Sequence, residues 1–110
     1  MATKFKFESL GQPFEADWPV LVPTPVDGGK TVDEEFMVRW RRLPADQAQV
    51  IEAGPDGARE VIRQSLVKVY DDEKDVMTPE LVEQLLGETR VRLAFFRSLN
   101  SFAMGAAVKN

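Results

Sequence analysis

The first third of the chain alternates apolar and polar residues with a period of two, the pattern of half-buried β-strands. In the segment "TKFKFES", Phe5 and Phe7 alternate with lysines and Glu8, which predicts a first strand. The segment "FEADWPVLVPTPV" predicts a second strand, and one parity of it is apolar: Phe14, Ala16, Trp18, Val20 and Val22. The prolines of this segment lack a backbone donor, so the strand is predicted to be short, irregular or at a sheet edge.

A tight reversal is predicted next. "DGG" at 27–29 supplies residues that tolerate positive φ, as a hairpin turn requires. The following segment, "TVDEEFMVRWR", sets Phe36, Val38 and Trp40 on one face and polar residues on the other. Strand, glycine-rich turn and strand together predict a β-hairpin.

From Leu43 the apolar spacing becomes that of helices. Pro44 suits a helix start, and "ADQAQVIEA" predicts a short helix that ends near Gly54-Pro55. "DGAREVIRQSLVKVY" predicts a second helix, with apolar residues at helical intervals: Val61, Ile62, Leu66, Val69 and Tyr70. A charged loop, "DDEKDVM", precedes a third helix, "TPELVEQLLG", with Thr78 as N-cap and Gly87 at its end. A fourth helix is predicted over "ETRVRLAFFRSLNSFAMGAA".

These elements predict a single α+β domain over residues 1–110. A small N-terminal antiparallel sheet or β-hairpin is expected in 1–42, about four α-helices in 43–106, and a flexible tail in 107–110.

Composition excludes several kinds of chemistry. The chain has no cysteine and no histidine, which removes disulfides, thiolate catalysis, thiolate zinc sites and histidine-dependent triads. The acidic run 71–75 lacks the glycine and glutamate spacing of an EF-hand, and no phosphate-loop motif is present. We therefore predict no enzyme, no catalytic or metal-binding residue and no cofactor.

Charge and hydropathy bear on location and partners. The formal net charge of −4 disfavours a nucleic-acid-binding protein. No stretch approaches the roughly 18 apolar residues of a membrane span, and no secretory signal is recognisable at the N-terminus. A protein that stays in the cytoplasm where it is made is expected.

The stretch "RWRR" at 39–42 has two interpretations. It could be a basic surface, interleaved with an aromatic residue, that binds nucleic acid, or it could be the solvent-exposed face of a strand. Asp33 and Glu35 share the parity of Arg39 and Arg41, so the charge on this face is mixed. We favour the solvated face and predict that Trp40 lies in the core.

The last helix carries more apolar surface than a single stripe requires. Its main stripe is Val91, Phe95, Leu99 and Phe102, and Leu93, Phe96 and Ala103 widen the apolar arc. Either this helix is central and buried, or some of the arc is offered to another chain or to a second copy.

Taken in order, these segments resemble the tail assembly chaperones of long-tailed bacteriophages. The resemblance covers most of the chain and rests on three segments: "FMVRWRRLPADQAQVIEA", "VIRQSLVKVYDDEKDVMTPELVEQLL" and "VRLAFFRSLNSFAMGAAVKN". One departure is visible, because many relatives carry tryptophan where this chain has Tyr70.

The resemblance implies a non-enzymatic protein that binds the tape measure protein and keeps it soluble until tail tube subunits polymerise around it. Such a protein works in the host cell cytoplasm and is absent from the mature virion. The tape measure protein is the expected partner, the tail tube protein and self-association remain open, and neither nucleic acid nor membrane is expected. The predicted partner contacts are Phe95, Phe96, Leu99, Phe102 and Met104.

Two alternatives stay open. The first is a structural tail or head-completion subunit that is retained in the virion. The second is a small nucleic-acid-binding regulator that uses Arg39, Arg41 and Arg42.

A further hypothesis concerns the gene. Many relatives are also made as a longer product by a minus-one ribosomal frameshift. Val108-Lys109-Asn110 can be encoded with the slippery sequence A AAA AAC, so the protein sequence permits such a product. The codons actually used would decide it.

Overall fold

A computed structural model describes residues 2–105 as an antiparallel sheet of four strands, accompanied by four α-helices. The predicted α+β class is therefore confirmed. The elements in chain order are a 3-10 turn Phe7–Ser9, β1 Glu15–Val26, β2 Lys30–Arg41, α1 Ala45–Glu52, α2 Gly57–Ser65, β3 Leu66–Asp71, β4 Lys74–Asp75, α3 Pro79–Gly87 and α4 Thr89–Met104. The predicted tail 107–110, and with it the end of the chain that bears on frameshifting, lies outside the described residues.

The predicted hairpin is confirmed. β1 pairs with β2 along its whole length, from Glu15 opposite Arg41 to Val26 opposite Lys30. Gly28 and Gly29 form the reversal with φ of 88° and 75°, values that favour glycine. β1 is an edge strand, as its prolines predict, but it is a regular strand of twelve residues rather than a short one.

The hydrogen-bonding parity explains how a strand with three prolines stays regular. Arg42 N donates to Phe14 O at 2.8 Å, one step beyond the Glu15–Arg41 pair. Pairs of even-numbered residues therefore exchange the hydrogen bonds of this ladder. The prolines occupy odd positions of β1, at 19, 23 and 25, so their missing donors point away from β2 and cost the ladder nothing.

The prediction of a helix through Tyr70 is wrong. α2 ends at Ser65, and Leu66–Asp71 forms β3, which pairs with β2 at Val38 opposite Val69. The charged segment after it contains the tight turn of a small hairpin, closed by Asp71 opposite Lys74. The predicted division into a β-rich segment 1–42 and a helical segment 43–106 therefore fails at 66–75, because the second half of the chain completes the sheet.

The strand predicted at "TKFKFES" is also wrong. Residues 2–6 are outside any helix or strand, and Phe7–Ser9 is a 3-10 turn. Phe5 is 57% exposed and Phe7 is 74% exposed. The two rings contact each other edge to face at 5.4 Å between centroids, without a core beneath them. We refer to residues 2–13 as the N-terminal arm.

The helix boundaries follow their local signals closely. Thr78 Oγ1 accepts a hydrogen bond from Leu81 N at 3.1 Å, which confirms the predicted N-cap of α3. Pro44 directly precedes α1 rather than lying in its first turn. α4 ends at Gly105, whose φ of 67° makes it the left-handed C-cap.

The core lies between α4 and the face of the hairpin that carries even-numbered residues. Phe95 contacts the rings of Phe36 and Trp40, each at 5.8 Å between centroids. Phe102 contacts the rings of Phe14 and Trp18 nearer the open end of the hairpin. The buried apolar residues are Val20, Val22, Val38, Trp40, Ile62, Leu66, Val69, Val82, Leu86, Val91, Ala94, Phe95 and Phe102. α4 is thus the central, buried helix, and the predicted core position of Trp40 is confirmed.

Candidate functional site

The five predicted contact residues do not form one surface. Phe95 and Phe102 are 0% and 5% exposed and belong to the core. Phe96 and Leu99 are partly buried and pack against that core. Met104 is 79% exposed at the end of α4. In this conformation only Met104 is freely available to a partner, because the aromatic rings on the inner side hold α4 to the sheet.

The outward side of α4 offers a different apolar surface. Leu93 is 46% exposed and lies three residues before the partly buried Phe96, and Asn100 and Met104 follow at intervals of four. These spacings place the four residues on one side of the helix. We call Leu93, Phe96, Asn100 and Met104 the outer stripe of α4. The sequence identifies Leu93 only as a residue that widens the apolar arc. It does not predict that Leu93 is exposed, because spacing alone does not show which edge of a wide arc faces the sheet.

A cleft lies at the open end of the hairpin. It has a volume of about 720 Å³ and is lined by Gly11–Glu15 on one side and Arg41–Gln47 on the other. Arg42 holds the two sides together, since its Nη2 donates to Gln12 O at 2.6 Å and its backbone N donates to Phe14 O. Sequence reasoning missed this cleft because it depends on the approach of two segments that are about thirty residues apart.

The arginines of "RWRR" are engaged within the chain. Arg39 Nε and Nη1 lie 2.9 Å from Glu15 Oε1 and 3.1 Å from Asp17 Oδ1. The hydrogen bond with Glu15 is the main cause that raises the pKa of Arg39. Arg41 Nε donates to Gln64 O at 2.7 Å. The predicted solvated face of mixed charge is therefore confirmed, although its acidic partners come mainly from β1.

Tyr70 belongs to the same polar face. Its hydroxyl donates to Asp17 Oδ1 at 3.0 Å. Desolvation of the phenol and this hydrogen bond raise the pKa of Tyr70 above 10.0, its ordinary value. The tyrosine keeps its proton at neutral pH and acts here as a donor that holds Asp17 in place.

A second charged cluster centres on Arg63 in α2. Its guanidinium contacts Glu83 of α3 at 2.8 Å, Asp56 at 2.9 Å and Glu60 at 3.2 Å. Hydrogen bonding to Glu83 raises the pKa of Arg63, and the same bond is the main cause that lowers the pKa of Glu83. This cluster ties α2 to α3 and faces solvent, so its role is structural.

The acidic run 71–75 is used by the turn itself. Asp75 Oδ1 accepts from Met77 N at 3.0 Å, and Asp72 adopts a positive φ of 55°. Within residues 2–105, no group of three or more acidic side chains is arranged so that it could hold a metal ion. Over the same residues, no helix combines the length and apolar character needed to cross a bilayer.

Comparison of the chain with known protein families, with curated protein sequences and with solved structures finds no match.

Proposed function

We propose that this protein is a tail assembly chaperone of a long-tailed bacteriophage, which binds the tape measure protein and keeps it soluble in the host cytoplasm until the tail tube forms. The proposal starts from the order of segments that resembles this family. It includes no catalytic step and no cofactor, in keeping with a chain that has neither cysteine nor histidine. The protein would leave the assembly before the virion is complete.

The outer stripe of α4 is the structural observation that supports the contact. Leu93 and Met104 are exposed on a helix whose opposite side is fixed by Phe95 and Phe102 in the core. The stripe is apolar at three of its four positions, with Asn100 as the polar one. Such a stripe on a rigid helix suits a long helical partner, because helices pack through residues at intervals of three and four. Methionine at one end of the stripe adapts to different partner side chains along such a helix.

The test is co-expression with the tape measure protein encoded by the same phage, followed by affinity purification and size-exclusion chromatography. We expect the partner to stay soluble only when this chain is present, and the two to co-elute. The double variant Leu93→Glu/Met104→Glu should abolish co-elution, because it places charge on the stripe without touching the core. Val50→Glu is the matched control, since Val50 is an apolar residue of α1 with an exposure close to that of Met104.

Three outcomes would count against the proposal. If the tape measure protein is equally soluble without this chain, the chaperone function is wrong. If Val50→Glu weakens co-elution as much as the double variant does, the outer stripe is not the contact. If mass spectrometry of purified virions finds the protein in abundance, a retained structural subunit replaces the chaperone.

A nucleic-acid-binding regulator receives no support from the arginine cluster. Arg39, Arg41 and Arg42 all donate to acceptors of the same chain. A phosphate backbone would have to compete with these intramolecular partners and with the acidic side chains beside Arg39. Absence of DNA binding at low salt is therefore expected.

A further inference from the structure

The two edges of the β1–β2 hairpin differ in their capacity to accept another strand. On the outer edge of β1, the outward-facing positions include three prolines, which have no N–H to offer. The carbonyl of one of them, Pro19, already accepts a hydrogen bond from Ser98 Oγ at 2.8 Å. This edge is closed to strand addition by its own sequence.

The second edge of β2 has no such protection. β3 pairs with β2 only at Val38, Arg39 and Trp40, so within residues 2–105 the segment Lys30–Phe36 is paired on one side only. Because even-numbered residues bond to β1, the odd-numbered ones direct their backbone N–H and C=O groups to the free edge. Within the unpaired segment these are Thr31, Asp33 and Glu35. Lys30–Glu35 are all exposed.

The N-terminal arm has the complementary character. Lys4–Phe7 alternates basic and aromatic residues with the period of a strand, yet it pairs with no strand among the described residues. Lys6 already has extended backbone angles, with φ of −100° and ψ of 109°. Phe5 and Phe7 are exposed although their side chains are strongly apolar. The arm thus has the sequence of a strand but no strand partner, whereas the free edge of β2 has unpaired backbone groups.

We infer that the N-terminal arm of one copy adds as a strand to the free edge of β2 in a second copy. Charge supports this occupant, since Lys4 and Lys6 meet an edge whose outward positions include Asp33 and Glu35. Because strand side chains alternate, a register that places both lysines beside these carboxylates places Phe5 and Phe7 on the opposite face. That face carries the apolar Val32 and the partly buried, apolar Phe36, with Glu34 between them.

The position of the arm favours a second copy over the same chain. The arm joins the body at the open end of the hairpin, where Arg42 binds Gln12 and Phe14. β3 occupies the edge of β2 at this end, between the attachment point and the free segment. An arm that paired within its own chain would have to pass around β3, whereas the arm of another copy approaches the free segment from solvent.

The test is the mass of the full chain in solution over a range of concentrations, measured by light scattering and sedimentation without any partner protein. A concentration-dependent dimer or higher assembly is expected. Asp33→Pro should abolish it, because this residue directs its N–H to the free edge and the hairpin ladder does not use it. Leu21→Pro is the matched control, since Leu21 is the outward-facing position opposite Glu35 on the closed edge of β1. Circular dichroism would show that both variants keep the fold.

Charge reversal gives a second test that does not alter the backbone. Lys4→Glu/Lys6→Glu and Asp33→Lys/Glu35→Lys should each weaken self-association by about tenfold or more, since two cross-strand pairs become repulsive. Mixing the two variants should restore association, because each reversed arm then meets a complementary edge.

Several results would overturn the inference. These are a monomer at all concentrations, equal loss of assembly in Leu21→Pro and Asp33→Pro, or no recovery when the charge-reversed variants are mixed. A monomer whose outward amides at 31, 33 and 35 are protected from hydrogen exchange would show that the arm pairs within its own chain. Protection that appears only with the tape measure protein would assign the edge to that partner. The mass measurements and the comparison of variants use this chain alone, so their outcome is independent of the proposed chaperone function.

Discussion

Replacing Ser98 with alanine is expected to destabilise the protein by far more than the loss of one hydroxyl on a surface helix. Ser98 is 4% exposed and joins α4 to both strands of the hairpin. Its Oγ accepts from Trp40 Nε1 at 2.9 Å and donates to Pro19 O at 2.8 Å. Ser98→Ala breaks both bonds while the surrounding packing stays in place.

The magnitude follows from what each broken bond leaves behind. Trp40 is fully buried, so its indole N–H would have no partner from protein or water. An unsatisfied buried donor costs about 1–3 kcal/mol. The Pro19 carbonyl lies at the sheet edge, where water can replace the lost hydroxyl, and it adds little. We therefore expect a loss of about 2 kcal/mol in the free energy of unfolding, or about 10 °C in the melting temperature.

The assay is urea unfolding followed by circular dichroism, in a double-mutant cycle with Trp40→Phe. The phenylalanine has no N–H, so Ser98→Ala should cost much less in that background. Asn100→Ala, on the exposed side of the same helix, serves as the control for helix propensity. A cost of Ser98→Ala below about 0.5 kcal/mol, or an equal cost in both backgrounds, would refute the reasoning, because neither fits an orphaned indole donor.

Three further predictions concern other regions of the fold. Gly57→Ala should lower the free energy of unfolding by about 1–3 kcal/mol, because the new Cβ would overlap the backbone of Glu52. Urea unfolding measures this loss, and an unchanged free energy of unfolding would mean that α1 moves away from the new methyl group. Asp72→Gly should raise the free energy of unfolding by about 0.5–1 kcal/mol, because Asp72 has a positive φ of 55°, and a decrease in the thermal midpoint would contradict this. Arg63 lowers the pKa of Glu83 in the folded protein below its ordinary value of 4.5. The ion pair therefore stabilises the fold fully at pH values above the pKa that Glu83 has in the unfolded chain. This contribution disappears as the pH falls through the lower pKa that Glu83 has in the folded protein. Thermal midpoints measured across acidic pH should therefore fall less steeply for Glu83→Gln than for the unchanged chain, and identical slopes would show that the pair adds nothing.

Some elements could be predicted because their signals are local. Thr78 caps α3 through a bond to a residue three positions away, and two glycines with positive φ reverse the hairpin. The alternation in "FMVRWR" gives the parity of β2 because only one face of that strand reaches the core. These features depend on neighbours in the sequence, so the sequence by itself determined them.

The site and the remaining elements depended on contacts between distant segments. Apolar residues at 62, 66 and 69 have the spacing of one helix face, yet only Ile62 lies in α2. The pairing of β2 with Leu66–Val69 makes these residues a strand, and a register shift in that pairing lets both Leu66 and Val69 be buried. The period-two pattern around Phe5 is a strand signal of the same strength, yet no strand of the described chain pairs with it. In α4, the sequence defined a wide apolar arc, whereas the aromatic rings of the sheet decided that Phe95 and Phe102 lie inside and Leu93 and Met104 outside. The periodicity of the sequence shows which residues can share a face of a helix or strand. Burial of that face requires a second segment, which the tertiary structure brings close. Burial and backbone pairing therefore depend on two segments, and the sequence of one segment does not determine them.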